Sequence, residues 1–263
     1  MSAADGPEAI ALEGGSIALE GPGFVDLHSH YVPAIDDGVR TLEDAVALLA
    51  GLKELGFEAA VATPHIKPGH FDNRGPGLRA AHARLREALA EAPAPLPILG
   101  LAAEHWLDDV VFRLIQADEA VRYPGGKALL FELPREQLPA NLGQVIFQMR
   151  LKGIRPVLAH PERYRPFFKD SDALEGFVSQ GAAPLLDVMS LSGRYGRRPR
   201  KAAERILDEG LYAAACSDLH KPKDLPHVAE GMARLEKRVG RAEMHALFSA
   251  RPRRLLADGL AGW

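Results

Sequence analysis

Short apolar runs alternate with amphipathic stretches along almost the whole chain, and this rhythm constrains the fold more than any other feature. Seven runs, at 24–28, 59–63, 97–102, 128–132, 156–160, 184–188 and 212–216, have the length and bounding residues of strands. Between them, 41–55, 76–91, 107–116, 136–152, 171–180 and 198–209 read as helices. Thr41 with Asp44 three residues on is a weak capping box, and Leu78, His82, Leu85 and Leu89 form an apolar stripe on one helix face. Gly56, Gly153, Gly181 and Gly210 stand where a helix gives way to a strand, a place that favours the left-handed conformation. Repeated strand–helix units imply parallel strands joined by right-handed crossovers. The sequence therefore predicts the α/β class. Seven such strands suit a closed barrel better than an open sheet, with closure itself left open. Residues 24–263 read as one domain, with 225–263 as helix followed by an irregular end, and 1–23 as a flexible N-terminal extension.

Composition removes several classes of function. At 263 residues the chain can bury a full core without disulfides. Lys plus Arg number 32 and Asp plus Glu 35, a net charge of −3, so neither nucleic acid nor an anionic membrane is expected as the main partner. The longest apolar run, 96–103, is eight residues with a proline inside, whereas a spanning helix needs roughly 20. Residues 1–23 carry four acids and no Lys or Arg, unlike a secretory leader. A single cysteine, Cys216, leaves no internal disulfide, so a reducing cytoplasm is the expected location.

Polar residues gather at the C-terminal ends of the expected strands. The first ends in Asp26-Leu27-His28-Ser29-His30, the second in Thr63-Pro64-His65, the third in Glu104 and the fourth in Glu132. The fifth ends in His160-Pro161-Glu162-Arg163 and the seventh in Ser217-Asp218-Leu219-His220. In a parallel β/α barrel all these ends open on one face, where active sites are built. His28 and His30 point to the same side of a strand, as a metal pair would. One such residue is ordinarily a solvated boundary, but recurrence on six of seven strands points to a metal centre. Rival chemistries lack their motifs. The position six after Cys216 is Pro222, not the arginine that a cysteine-dependent phosphatase needs, and neither a Walker loop nor a Gly-x-Ser-x-Gly elbow is present.

The order of these residues resembles the PHP (polymerase and histidinol phosphatase) superfamily of trinuclear metal phosphoesterases. Within it, Asp26 to His30 followed by Asp36-Asp37-Gly38 is similar to the bacterial manganese-dependent protein-tyrosine phosphatases encoded beside capsule and exopolysaccharide genes. The likeness runs from about Phe24 to the Arg251-Pro252 segment. It implies a distorted (β/α)7 barrel of the PHP type and three divalent metal ions, Mn2+ expected, with Fe and Zn left open. By the same resemblance His28, His30 and Asp218 hold the first ion and Glu104 bridges to the second. Glu132 and His160 complete the second, and Asp37, His65 and His220 hold the third. Asp37 and Glu132 stand where many other PHP enzymes have His, which suits the tyrosine-phosphatase branch and a harder ion.

The expected activity is hydrolysis of a phosphate monoester through a hydroxide shared by two ions, with Arg163 and His220 as catalytic groups. Arg163, Arg194 and Lys221 are the expected substrate contacts, the alternative for Arg163 being a salt bridge to Glu162 or another surface acid. Relatives commonly carry an arginine after the last Asp-x-His; here Lys221 or Lys223 would have to replace it. The implied partner is the phosphotyrosine segment of a bacterial tyrosine autokinase, with a homo-oligomer left open. Two alternatives stand: a phosphatase of a small metabolite such as histidinol phosphate, and a metal-stabilised regulatory module without turnover. His82, His105, Asp36 and Asp187 read as structural or supporting residues.

Overall fold

The computed structural model describes residues 9–12, 15–18 and 23–258. Strands β1 (Ala9–Leu12) and β2 (Gly15–Ala18) pair antiparallel within the segment read as an extension; the rest of 1–22 lies outside the described residues. There follow β3 (Phe24–Ser29), α1 (Leu42–Glu54), β4 (Phe57–Ala62), β5 (His65–Ile66), α2 (Gly75–Leu89), β6 (Ile98–Leu101), β7 (Glu104–Trp106) and α3 (Asp109–Gln116). The second half contains β8 (Ala128–Glu132), α4 (Leu142–Leu151), β9 (Arg155–Ala159), α5 (Asp172–Ser179), β10 (Ala183–Asp187), α6 (Met189–Ser192), α7 (Arg197–Asp208) and β11 (Ala214–Cys216). It ends in α8 (Leu225–Val239), α9 (Arg241–His245) and α10 (Arg251–Asp258), the last two joined through a π turn. Among the described residues no helix is long and apolar enough to cross a membrane.

The strands from β3 onward pair in parallel, as the strand–helix rhythm requires. Two sheets result, β3-β4-β6 and β11-β10-β9-β8-β7-β5. They are continuous in space, because β4 and β5 are halves of one path broken at Thr63-Pro64, and β6 and β7 of another broken at Ala102-Ala103. Pro64 has no N–H to donate, but its carbonyl accepts from Glu104 N at 3.1 Å, while Ala102 N reaches Ala62 O at 2.8 Å. Beyond β11, Asp218 N donates to His28 O and His30 N to Leu219 O, both at 2.9 Å. Seven strand paths thus form a distorted ring in which the last is bonded to the first.

Residues alternate between two apolar layers along each strand. Ala128 and Leu130 of β8, Val157 and Ala159 of β9, and Ala183 and Leu185 of β10 belong to an inner cluster that α10 joins through Leu255 and Leu256. Leu129, Phe131, Leu158 and Leu186 face the helices instead. Each large aliphatic side chain so buried contributes about 1.5–3 kcal/mol. Exposed pairs such as Arg234–Glu230 contribute at most about 1 kcal/mol. The core, not the surface, holds the ring.

Local signals in the sequence act as expected. Thr41 Oγ1 accepts from Asp44 N at 3.1 Å, and Gly56, Gly153, Gly181 and Gly210 all have φ between 69° and 101°. The tail after 225 is helical to Asp258, and the irregular end expected after it lies at 259–263, outside the described residues. Two expectations are corrected. The fourth helix starts at Leu142 rather than 136, because Pro139 and the loop around it precede the first helical turn. The second and third strands are broken in two, and both breaks lie beside the residues that carry the chemistry.

Candidate metal centre

At the C-terminal ends of the strands, the polar side chains converge. Glu104 and Asp218 crowd His28 and His30 at the floor. His28 Nε2 lies 3.2 Å from His30 Nε2, 3.2 Å from Glu104 Oε2 and 3.2 Å from Asp218 Oδ1. His30 Nε2 is 3.4 Å from the same Asp218 oxygen. His160 Nε2 stands 3.0 Å from Glu104 Oε1. His65 spans two groups: its Nδ1 is 3.1 Å from Glu104 Oε2 and 3.2 Å from Glu132 Oε1, and its Nε2 is 3.4 Å from Asp37 Oδ1. His220 Nε2 faces that same Asp37 oxygen at 3.4 Å. All nine expected ligands are therefore brought together. Donor atoms within 4.8 Å of one another form three sets: His28–His30–Glu104, His65–Glu104–Glu132 and His30–Asp37–His65–His220.

Backbone geometry aims these groups. His160 and Asp218 follow β9 and β11 and adopt φ of 33° and 46°, left-handed values uncommon for non-glycine residues. Such strain persists only where surroundings over-determine it. Supporting side chains fix the ring orientations. Asp36 Oδ2 accepts the Nδ1–H of His30 at 2.8 Å and the His65 N–H at 3.1 Å, and its Oδ1 accepts from Gly38 N at 2.9 Å. The lone pair on His30 Nε2 is thereby left facing the cage. His220 Nδ1–H donates to Asp218 O at 2.9 Å. Asp26 is no part of the cage; it accepts from Ser217 N at 2.9 Å and Ser217 Oγ at 2.6 Å, tying the first strand path to the seventh. Burial, partly offset by these bonds, pushes its carboxyl up to about 6.

The residues fit divalent cations on two counts. Three buried atoms that face the cage, His65 Nδ1, Glu132 Oε1 and Asp218 Oδ1, make no hydrogen bond despite their close neighbours, an expensive arrangement for polar atoms. The surroundings also favour positive charge. Burial would lower the pKa of His30, but Asp36 and Asp218 raise it to about 8. Burial would raise Glu104, but His28 and His65 hold it well below the usual carboxylate range. Imidazoles mixed with carboxylates are the donor set of Mn, Fe and Zn sites rather than of Ca or Mg.

Above the cage opens a cavity of about 320 Å³, walled by Lys67, Phe71, Trp106, Arg135 and Arg163. Arg163 does not pair with Glu162. It donates to Asp218 and, at 3.3 Å, to Asp187 Oδ2, and lies 4.4 Å over the Tyr195 ring. Glu162 is turned inward, accepting from Asp187 N, Ser190 Oγ and Tyr212 OH at 3.0 Å each. Arg194 pairs with Asp224 at 3.2 Å and is not on the cavity wall. Lys221 and Lys223 are exposed and also lie off that wall. Two further cations line it beside Arg163, Lys67 and Arg135, which were not anticipated. Phe71 stacks on His65 with ring centroids 5.4 Å apart, and Lys67 Nζ sits 3.6 Å over the Trp106 ring.

The remaining candidates are structural. His105 donates to Leu130 O at 2.8 Å and accepts from Val121 N at 3.3 Å. Burial lowers its pKa to about 4. Cys216 is buried against Leu186 O at 3.3 Å, and burial pushes its thiol up, away from nucleophilic chemistry.

Comparison with known proteins decides among metal-dependent relatives. The family model described as "Capsular polysaccharide synthesis, CpsB/CapC" matches residues 24–257. The chain belongs to the CpsB/CapC family. It is 29% identical over 218 residues to the tyrosine-protein phosphatase YwqE of Bacillus subtilis, covering 82% of this chain and 85% of that protein. It is 24% identical to the tyrosine-protein phosphatase CpsB of Streptococcus pneumoniae, covering 90% of this chain and 100% of that one. A crystal structure from work on YwqE and CpsB, described there as metal-dependent tyrosine phosphatases, superposes with a TM-score of 0.82 at 27% identity, covering 91% and 96% of the two chains. The organophosphorus hydrolase of Deinococcus radiodurans shares the fold at a TM-score of 0.55 and 15% identity.

Proposed function

We propose that this CpsB/CapC-family chain is a metal-dependent protein-tyrosine phosphatase whose substrate is the phosphotyrosine segment of a bacterial tyrosine autokinase, acting in the cytoplasm to regulate exported polysaccharide. The observation that carries this reading is the convergence of nine metal-type donors beneath a cavity walled by cations and aromatic rings. His28, His30 and Asp218 would hold one ion, Glu104, Glu132 and His160 a second, and Asp37, His65 and His220 a third, with manganese the expected metal. Bound divalent ions would supply a water acidic enough to attack at neutral pH and would neutralise charge on the phosphate.

The chain's own residues do the rest. Asp36 holds His30 in the tautomer that a ligand needs. Asp187 and Asp218 hold Arg163 at the cavity wall, where its remaining N–H groups can fork onto phosphate oxygens. Phe71 and Trp106 offer apolar faces to an aryl group, which favours phosphotyrosine over a small polar metabolite. Tyrosinate, with a pKa near 10, needs less help from a general acid than an alkoxide does.

Elemental analysis of purified protein, paired with a phosphotyrosine-peptide assay with and without chelator, tests the reading. Bound metal in about threefold excess over protein and turnover abolished by chelator are expected. No turnover by fully metallated protein, or a lasting preference for histidinol phosphate, would overturn it.

A further inference from the structure

Beside the metal cavity lies a second cavity of about 470 Å³ that shares two walls with it, Arg135 and Arg163. Its other charged lining residues are Arg165, Arg197, Arg198 and a single acid, Glu136. Arg163 is held by Asp187 and Asp218, and Arg165 pairs with Glu136 at 2.9 Å in an exposed, exchangeable contact. Among the described residues, no ion pair is found for Arg135, Arg197 or Arg198. Like charges gathered in one concavity repel, so the arrangement does not serve the fold. Arg197 and Arg198 also occupy the first turn of α7, where positive charge opposes the helix dipole. Phe168, Tyr195 and Pro199 complete the wall with apolar surface on which a peptide backbone can rest.

We propose that this arginine cavity receives a second oxyanion of the same substrate, a phosphate or carboxylate on a residue close in sequence to the phosphotyrosine, while the metal centre holds the phosphate to be cleaved. The inference rests on the phosphatase reading and gives it a substrate class: phosphotyrosine in a strongly acidic segment. The shared walls set the spacing, because the two anionic groups must lie on either side of Arg135 and Arg163. Arg165, Arg197 and Arg198 can each offer two N–H groups to one phosphate or carboxylate. Tyr195, under the Arg163 guanidinium, belongs to the partition between the two cavities.

The test compares three phosphotyrosine peptides that differ only in the flanking residue: a second phosphotyrosine, a glutamate or an alanine. A small aryl phosphate serves as a fourth substrate. Metal-loaded wild type should favour both acidic peptides over the neutral one by about tenfold in kcat/KM, the scale of one charge-assisted hydrogen-bond pair. A larger gain from phosphotyrosine than from glutamate identifies phosphate as the preferred group; equal gains identify any carboxylate-sized anion. The double variant Arg197→Ala/Arg198→Ala should lose that preference and leave aryl phosphate turnover unchanged. Arg197→Lys/Arg198→Lys should recover most of the preference.

A wild type indifferent to the flank, a double variant that keeps its preference, or one that loses all four activities equally would overturn the proposal. If metal-loaded wild type fails on the aryl phosphate itself, the phosphatase reading falls. Equilibrium binding of the same labelled peptides to wild type and double variant then decides the arginine cavity alone: a preference lost in the variant supports it, and equal binding overturns it.

Discussion

Asp36 touches no substrate, yet the structure gives it control of the cage, and Asp36→Ala measures that control. Three donors lose their acceptor: the Nδ1–H of His30 and the buried backbone N–H groups of His65 and Gly38. Each unpaired backbone N–H costs about 1–3 kcal/mol, against a total stability of about 5–15 kcal/mol, so the chain should remain folded with a lowered melting temperature. The larger consequence is for metal. Removing the partner of a ligating histidine weakens binding by about 10–100-fold, or about 1.4–2.7 kcal/mol. Asp36→Asn is the control. With its amide turned so that the oxygen serves His30 and His65, only Gly38 N loses its bond, and the loss should be several-fold. Titrating Mn2+ against a competing chelator should rank affinity as wild type, then Asn, then Ala. An Ala variant that binds within twofold of wild type would show that His30 is oriented by packing alone.

His82, on the buried stripe of α2, gives a pH signature. Burial, with Arg86 nearby, lowers its pKa to about 4, below the unfolded value near 6.5. The folded state therefore keeps it neutral; its contribution is complete above pH 6.5 and is lost as pH falls toward 4. His82→Leu should flatten the fall in urea-unfolding stability between pH 7 and 4.5 by about 2–3 kcal/mol; parallel pH curves would refute this. Arg163→Lys cannot span Asp187 and Asp218 while stacking on Tyr195, so kcat/KM should drop about tenfold or more with metal content unchanged. Equal loss of metal would make Arg163 a holder of Asp218 only. At the α6–α8 crossing, a Cβ on Gly231 would stand 2.2 Å from Val188 O. Gly231→Ala should cost about 1–3 kcal/mol in a thermal melt, and an unchanged melting temperature would mean the crossing opens freely.

The strand–helix order and the gathering of the nine expected ligands were legible because both depend on local pattern. Each expected ligand but Asp37 sits at a strand end or within a few residues of one, and Gly56, Gly153, Gly181 and Gly210 mark the joints. The breaks at Thr63-Pro64 and Ala102-Ala103 were hidden, because the chain continues in nearly the same direction past each. Arg135 lies just before the stretch 136–152 read as a helix, whose apolar period begins only at Leu142. Its place at the cavity follows from the loop around Pro139, whose path spacing does not encode. Arg163 passes over the adjacent Glu162 to reach Asp187 and Asp218 on other strand paths, a pairing that closeness in sequence does not encode. Asp36 carried a usable signal, an acid beside the expected ligand Asp37, but its grip on both His30 and His65 is a tertiary fact.

The bonds from Ser217 to Asp26 join residues 191 positions apart, and the donors His28 and Asp218 face each other across that seam. A chain still lacking its seventh strand path lacks Asp218 and His220, two of the nine donors, so the sets expected for two of the three ions stay incomplete until that path docks. Cation binding at those two sets should add its free energy to the whole ring rather than to one loop. Chelation should then lower a single cooperative melting transition.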